Sequence, residues 1–177
     1  CSGNLEIYVS VDGDLSASRA FKLNVTVDDD FDNAFVVDIA SNTTKYKVET
    51  NLEKGEHTFL IQKATEFSQN PRYEITGIAF EGSPAGKKPY ESDKRIEFYG
   101  DSITSGSGNL VPNGSNEVAW KAQNGCQTYA SFTAQALGAD YAVASASGYG
   151  IIGGWNNFVN KLSTYSEYTL VDEKTPW

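Results

Sequence analysis

Residues 95–108 read Arg95-Ile96-Glu97-Phe98-Tyr99-Gly100-Asp101-Ser102-Ile103-Thr104-Ser105-Gly106-Ser107-Gly108, a short β-prone run that breaks into a Gly-Asp-Ser turn and further glycines. Ile96 and Phe98 alternate with polar neighbours, the period of a strand with one buried face. Gly100 is expected to supply backbone geometry that a residue with a Cβ would resist. Ser102 then emerges at the carboxyl end of the strand, the edge at which open α/β sheets bind ligands. A free serine hydroxyl is a weak nucleophile; it needs a neighbouring base, usually histidine, and donors aimed at the developing oxyanion. The chain has one histidine, His57, and it falls in what reads as a separate strand domain upstream of Ser102.

Beyond the serine turn, Tyr129, Phe132, Thr133, Ala136 and Leu137 share one face at helical spacing, and Gly138 is placed to cap that helix. Asp140 to Ala144 reads as a second strand leading into the turn at Ser147-Gly148. Strand, helix and strand in this order imply a parallel βαβ unit, in which the carboxyl ends of both strands lie on one edge. Gly148 is therefore expected near Ser102. A helix starting just after Ser102 is also expected, its N-terminal dipole favouring a negative oxygen there. Asp101 adjoins the nucleophile, but adjacent side chains on an extended turn diverge, which assigns it to loop hydrogen bonding.

Residues 1 to about 88 have a different rhythm. Leu5, Ile7, Val9 and Val11 alternate with polar residues, as do Phe21, Leu23, Val25 and Val27, the pattern of antiparallel strands with one wet face. Further strands are expected at Phe35 to Ile39, Lys45 to Val48, Thr58 to Ile61 and Ile75 to Phe80, separated by turn formers such as Asp12-Gly13-Asp14 and Lys54-Gly55. This is the signature of an N-terminal antiparallel β-sandwich. The stretch Gly82-Ser83-Pro84-Ala85-Gly86-Lys87-Lys88-Pro89 reads as a linker. The chain thus divides into a sandwich domain, 1–88, and the first part of an α/β domain with a parallel sheet, 89–177.

Composition narrows the partners. The 177 residues are 40% hydrophobic and 12% aromatic, with no apolar run near the roughly 20 residues that span a membrane. A net charge of −9 argues against nucleic acid, whose phosphates require a basic surface, and suits an uncharged substrate such as a polysaccharide. Two cysteines, Cys1 and Cys126, make no disulfide framework, and their spacing points to no metal site or other cofactor; whether they pair stays open.

The Gly100-Asp101-Ser102-Ile103 turn resembles the first block of the SGNH, or GDSL-type, hydrolases. Its wider context, Ile96 through Asn109, most resembles carbohydrate esterase family two, whose members join an N-terminal β-sandwich to an SGNH domain. Leu52-Glu53-Lys54-Gly55-Glu56-His57-Thr58 is similar to the sandwich of that family. Thr128-Tyr129-Ala130, Leu137-Gly138-Ala139-Asp140-Tyr141 and Ala146-Ser147-Gly148-Tyr149-Gly150 resemble its first helix, second strand and second block. The resemblance implies a jelly-roll-like sandwich before a three-layer SGNH fold, and a secreted serine esterase that removes O-acetyl groups from xylan or glucomannan. It implies Ser102 as nucleophile and the N–H groups of Ser102 and Gly148 as oxyanion donors. The third block, with an oxyanion asparagine, and the C-terminal block, with the catalytic histidine, do not occur among the 177 residues. The expectation is a piece of a longer protein, completed by a C-terminal segment or a second chain, and prone to association when alone.

Other readings compete. His57 fits a strand edge of the sandwich better than a catalytic base. The run Asp28-Asp29-Asp30 with Asp32 fits a solvated turn better than a calcium loop, which needs six to eight oxygen ligands. Tyr149 and Trp155 are candidates for stacking on sugar rings, although Ile151, Ile152, Phe158 and Val159 around Trp155 equally fit core packing. Trp120 serves either substrate or loop. The triplets at Asn24, Asn42 and Asn113 fit glycosylation only in a eukaryotic secreted chain. A noncatalytic carbohydrate-binding or scaffold role, carried by the sandwich, is the alternative of another class.

Overall fold

The computed structural model describes residues 1–12, 21–39, 43–66, 72–86, 92–112, 122–155, 161–164, 166, 168–170 and 173–176. The turn at residues 13–14, Trp120, Phe158, Val159, the triplets at Asn42 and Asn113, and residues 87–89 of the linker lie outside the described residues.

The chain forms two compact units, residues 1–63 with 70–90, and residues 64–69 with 91–177. The first contains six strands: β1 (Ser2–Asp12), β2 (Phe21–Val27), β3 (Phe35–Ile39), β4 (Lys45–Leu52), β5 (Phe59–Lys63) and β6 (Arg72–Glu81). They make two antiparallel three-stranded sheets, ordered β4-β1-β6 and β3-β2-β5. The alternating positions become one core: Leu5, Ile7, Val9, Leu23, Val25, Ile39 and Val48 are buried, with contributions from both sheets. Each such side chain stabilises the fold by about 1.5–3 kcal/mol relative to exposure.

The period-two expectation of one wet face fails on β2. Asn24 and Thr26, on the side opposite Leu23 and Val25, are also buried. The Asn24 amide donates to Thr26 Oγ1 at 3.4 Å, a weak contact that partly offsets their desolvation. Asn24 is therefore no accessible glycosylation acceptor in the folded chain.

In the second unit, β7 (Arg95–Gly100) and β8 (Asp140–Ser145) run parallel in unbroken register from Arg95 opposite Asp140 to Gly100 opposite Ser145, with α1 (Tyr129–Leu137) between them in sequence. Near the end of the described chain, β9 (Tyr168–Leu170) and β10 (Glu173–Pro176) form an antiparallel pair. Residues 64–69 belong to this second unit, although they lie within the span read as the sandwich domain.

Helix α1 ends where expected. Gly138 adopts φ 57° and ψ 47°, its N–H donates to Gln135 O, and Ala139 N–H donates to Ala134 O at 2.9 Å, a Schellman closure. Its buried face is not the expected one. Ala130, Ser131 and Ala134 are buried, whereas Tyr129, Phe132 and Leu137 are about half exposed. Small side chains let the helix approach closely, so the larger apolar residues point outward.

Candidate functional site

The end-to-end register of β7 and β8 fixes the geometry of the site. Because Gly100 pairs with Ser145, the loops carrying Ser102 and Gly148 leave the sheet at the same edge, and Ala146 N–H extends the ladder to Gly100 O at 3.1 Å. Gly100 itself is buried, and the need for glycine there is spatial. An added Cβ would meet Thr104 Oγ1 at 1.8 Å and Thr104 Cβ at 2.6 Å, while its φ is not left-handed.

Residues 101–110 form a chain of turns rather than the expected helix. Ser105 N–H donates to Asp101 O at 3.0 Å, making one helical turn, but Gly106 and Gly108 at φ 75° and 82° stop its propagation. Asp101 acts within this loop, its Oδ1 accepting from Ile103 N–H at 2.9 Å. The loop is tied down by Asn109, whose Nδ2 donates to the carbonyls of Asn124 and Gln127 at 2.7 and 2.9 Å while its Oδ1 accepts from Asn124 N–H.

Ser102 is half-buried, and its carbonyl accepts from Ser107 N–H at 2.9 Å. Among the described residues, neither the Ser102 hydroxyl and N–H nor the Gly148 N–H has a hydrogen-bond partner. Gly148 stands at φ 85° in the turn after β8, and its carbonyl accepts from Trp155 N–H at 2.9 Å. That bond folds residues 149–154 back and holds the Trp155 backbone at the Gly148 turn. The Trp155 side chain is 81% exposed, with Ile151 and Ile152 at 82%. Core packing of Trp155 is therefore excluded among the described residues. Tyr149 is half-buried, its N–H bonded to Ala146 O.

A residue that sequence reading passed over links these loops. Glu66 is 6% exposed, and its Oε2 accepts from Ser105 Oγ at 3.1 Å and from Ser147 N–H at 2.8 Å. Ser105 Oγ also lies 2.9 Å from Ser145 Oγ. Glu66 N–H donates to Gln123 Oε1 at 2.9 Å, and Ala64 O accepts from Gly125 N–H at 2.6 Å.

His57 is engaged elsewhere, in the first unit. Its Nδ1 lies 2.6 Å from Asp28 Oδ2 and its Nε2 3.0 Å from Glu53 O. Both partners are acceptors, so the arrangement calls for both ring nitrogens to carry protons, an imidazolium. The Asp28 hydrogen bond, followed by that to the Glu53 carbonyl, raises the His57 pKa. Asp28 sits at φ 51° in the acidic turn and also accepts from Thr58 N–H at 2.8 Å; Asp30 accepts from Asn33. That turn is a hydrogen-bonded hub, and no group of three or more metal-ligating side chains occurs among the described residues. Neither cysteine is in a disulfide among the described residues; burial pushes the Cys126 thiol up to about 12.

The chain thus combines a strand unit of two antiparallel sheets with a parallel β–α–β unit that has a serine loop on its carboxyl edge. No protein-family profile matches the chain. In sequence it is 34% identical over 143 residues to an acetylxylan esterase/glucomannan deacetylase of Cellvibrio japonicus, covering 77% of this chain and 38% of that protein. In structure it matches a family two carbohydrate esterase of Clostridium thermocellum with a TM-score of 0.77 and 24% identity, over 99% of this chain and 51% of the other. A carbohydrate esterase family 2 enzyme of Corynascus thermopiles gives 0.77 and 22%, over 98% and 51%. The fold is thus the one seen in family two carbohydrate esterases, and the chain spans 38% of the length of the curated relative and about half of the solved ones.

Proposed function

We propose that this chain is the sandwich and the front of the SGNH-type catalytic domain of a secreted carbohydrate esterase, one that removes O-acetyl groups from a plant cell-wall polysaccharide such as xylan or glucomannan. The carrying observation is the shared edge of β7 and β8, which sends Ser102 and Gly148 out together, their N–H groups unbonded among the described residues. The relative of Cellvibrio japonicus supports the reaction class. In this reading the first unit is a jelly-roll-like sandwich and the second belongs to a three-layer α/β domain. The reading divides the domains at 1–88 and 89–177, close to the compact units, which meet at 90/91 and put 64–69 with the second.

Ser102 Oγ attacks the acetyl carbonyl, and the Ser102 and Gly148 N–H groups receive the oxyanion. The acetyl group passes to Ser102 as the sugar hydroxyl leaves, and water then hydrolyses the acyl-enzyme to acetate. A base takes the Ser102 proton and passes it to the departing sugar oxygen, then takes a proton from water and returns it to Ser102, a role that histidine usually fills. His57 is a poor choice, since an imidazolium bound on both nitrogens has no lone pair to offer. The reading accordingly assigns the base to a histidine outside these 177 residues, His57 being the one histidine among them. Tyr149 and the exposed Trp155 offer flat faces for sugar rings beside the Gly148 turn.

The test is acetate release from acetylated xylan and glucomannan by the full-length protein and its Ser102→Ala variant. The variant is expected to lose about 10³-fold or more; undiminished release would remove Ser102 as nucleophile. Retention of polysaccharide by residues 1–88 alone, with no acetate release by the full-length protein, would favour the noncatalytic binding role instead.

A further inference from the structure

The carboxylate of Glu66 is a buried titratable group for which the esterase mechanism has no use. It reaches the edge of the β7–β8 sheet from the segment that follows β5, outside every motif that the catalytic reading draws on. Burying a carboxylate is costly unless its oxygens find donors. Here one oxygen, Oε2, collects a donor from each of the two loops that matter: the Ser105 hydroxyl, three residues past Ser102, and the Ser147 N–H, one residue before Gly148. Charge-assisted bonds of this kind are about twice as strong as neutral ones. The segment bearing Glu66 is itself held, by Glu66 N–H to Gln123 and Ala64 O to Gly125 N–H.

We propose that Glu66 is a positioning residue that sets the separation between the nucleophile loop and the oxyanion turn. The inference rests on the esterase reading above. The Gly148 N–H belongs to the peptide that joins Ser147 to Gly148, one peptide beyond the Ser147 N–H that Glu66 holds, so a fixed Ser147 sets where the turn at Gly148, φ 85°, begins. Likewise the turn of residues 102–105 is anchored at its far end by Ser105, bonded to Glu66 and to Ser145 at the end of β8. One carboxylate oxygen thus ties together the two loops that carry the proposed oxyanion donors. Because the oxyanion forms only in the transition state, a slackened brace should lower kcat and leave KM nearly unchanged.

The test uses the full-length protein and compares Glu66→Ala, Glu66→Gln and Ser105→Ala for acetate release and for labelling of Ser102 by an organophosphonate ester, which needs the same two N–H donors. Glu66→Ala is expected to lower kcat by about tenfold or more with KM within about twofold, and to slow labelling in the same ratio. Glu66→Gln keeps an acceptor of the same shape at the Oε2 position and is expected to recover most of the loss. Equal kcat in a folded Glu66→Ala and wild type would overturn the proposal, as would a loss confined to KM. Where Glu66→Ala does not fold, Ser105→Ala decides, since it removes the serine loop's bond to Glu66 while the Ser147 bond stays; unchanged kcat and labelling there would equally overturn it. Failure of the esterase reading looks different: wild-type protein that neither releases acetate nor labels at Ser102.

Discussion

At the scale of single residues, His57 and Gly100 show how local geometry reverses a plausible reading. A lone histidine in a chain with a candidate serine nucleophile invites pairing the two, yet His57 donates from both nitrogens to Asp28 and Glu53. Its folded pKa is raised, so the stability it contributes is present in full below the unfolded value of about 6.5 and is lost as pH rises through the folded value. Asp28 has its pKa lowered in the fold: burial raises it, and the bonds from His57 and Thr58 outweigh that effect. Its contribution is present above the unfolded value and is lost as pH falls through the lowered one. Thermal melts should therefore show a decline on the alkaline side of about pH 6.5 that His57→Gln flattens; an identical pH slope in the variant would refute the pairing. Gly100→Ala is expected to cost about 1–3 kcal/mol by denaturant titration. Thr104→Ala will not rescue it, because the Thr104 Cβ would remain 2.6 Å from the new methyl group.

At the scale of elements, strands were read from the sequence more fully than the helix or its surroundings. Period two placed β3 at Phe35–Ile39 residue for residue and the start of β4 at Lys45, but it stopped β4 short and found the cores of β5 and β6 while missing their ends. Register pairing, which carries β4 on to Leu52 and β6 from Arg72 to Glu81, depends on neighbours that no local pattern reveals. For α1 the stop at Gly138 was legible, because αL geometry has a residue preference. Its buried face was not, since Ala130, Ser131 and Ala134 give almost no apolar periodicity next to Phe132 and Leu137. Two substitutions separate these contributions. Gly138→Ala should cost about 1 kcal/mol from backbone strain alone, since nothing lies within 4 Å of the new Cβ. Ala134→Leu should cost about 1–3 kcal/mol from overpacking a site with no exposed area. A cost for Gly138→Asn equal to that for Gly138→Ala would argue against the strain account, because asparagine tolerates αL better.

At the scale of the molecule, the parts of the candidate site differ in how far the sequence exposed them. Ser102 and Gly148 could be placed on one edge because strand, helix, strand implies parallel strands. Glu66 could not, since Ala64-Thr65-Glu66 is an ordinary sequence after a strand and its partners lie at Ser105, Gln123 and Ser147. The apolar residues Ile151, Ile152 and Trp155 project from the same turn region, each more than four-fifths exposed. Clustered apolar exposure of this kind promotes association. Sedimentation of the 177-residue chain should show self-association that grows with concentration and is relieved in the double variant Ile151→Ser, Ile152→Ser; equal association in both would clear the patch of responsibility.

The 64–66 segment also bears on how such proteins can exchange parts. Shuffling between relatives at the glycine- and proline-rich stretch 82–89 separates Glu66 from Ser105 and Ser147, so the carboxylate is inherited with one parent and its donors with the other. Hybrids joined there inherit a mismatched brace unless residues 64–66 travel with the second unit. The strand unit is thus less a detachable cassette than a co-inherited half, and a crossover that respects this dependence must carry two separate pieces of sequence.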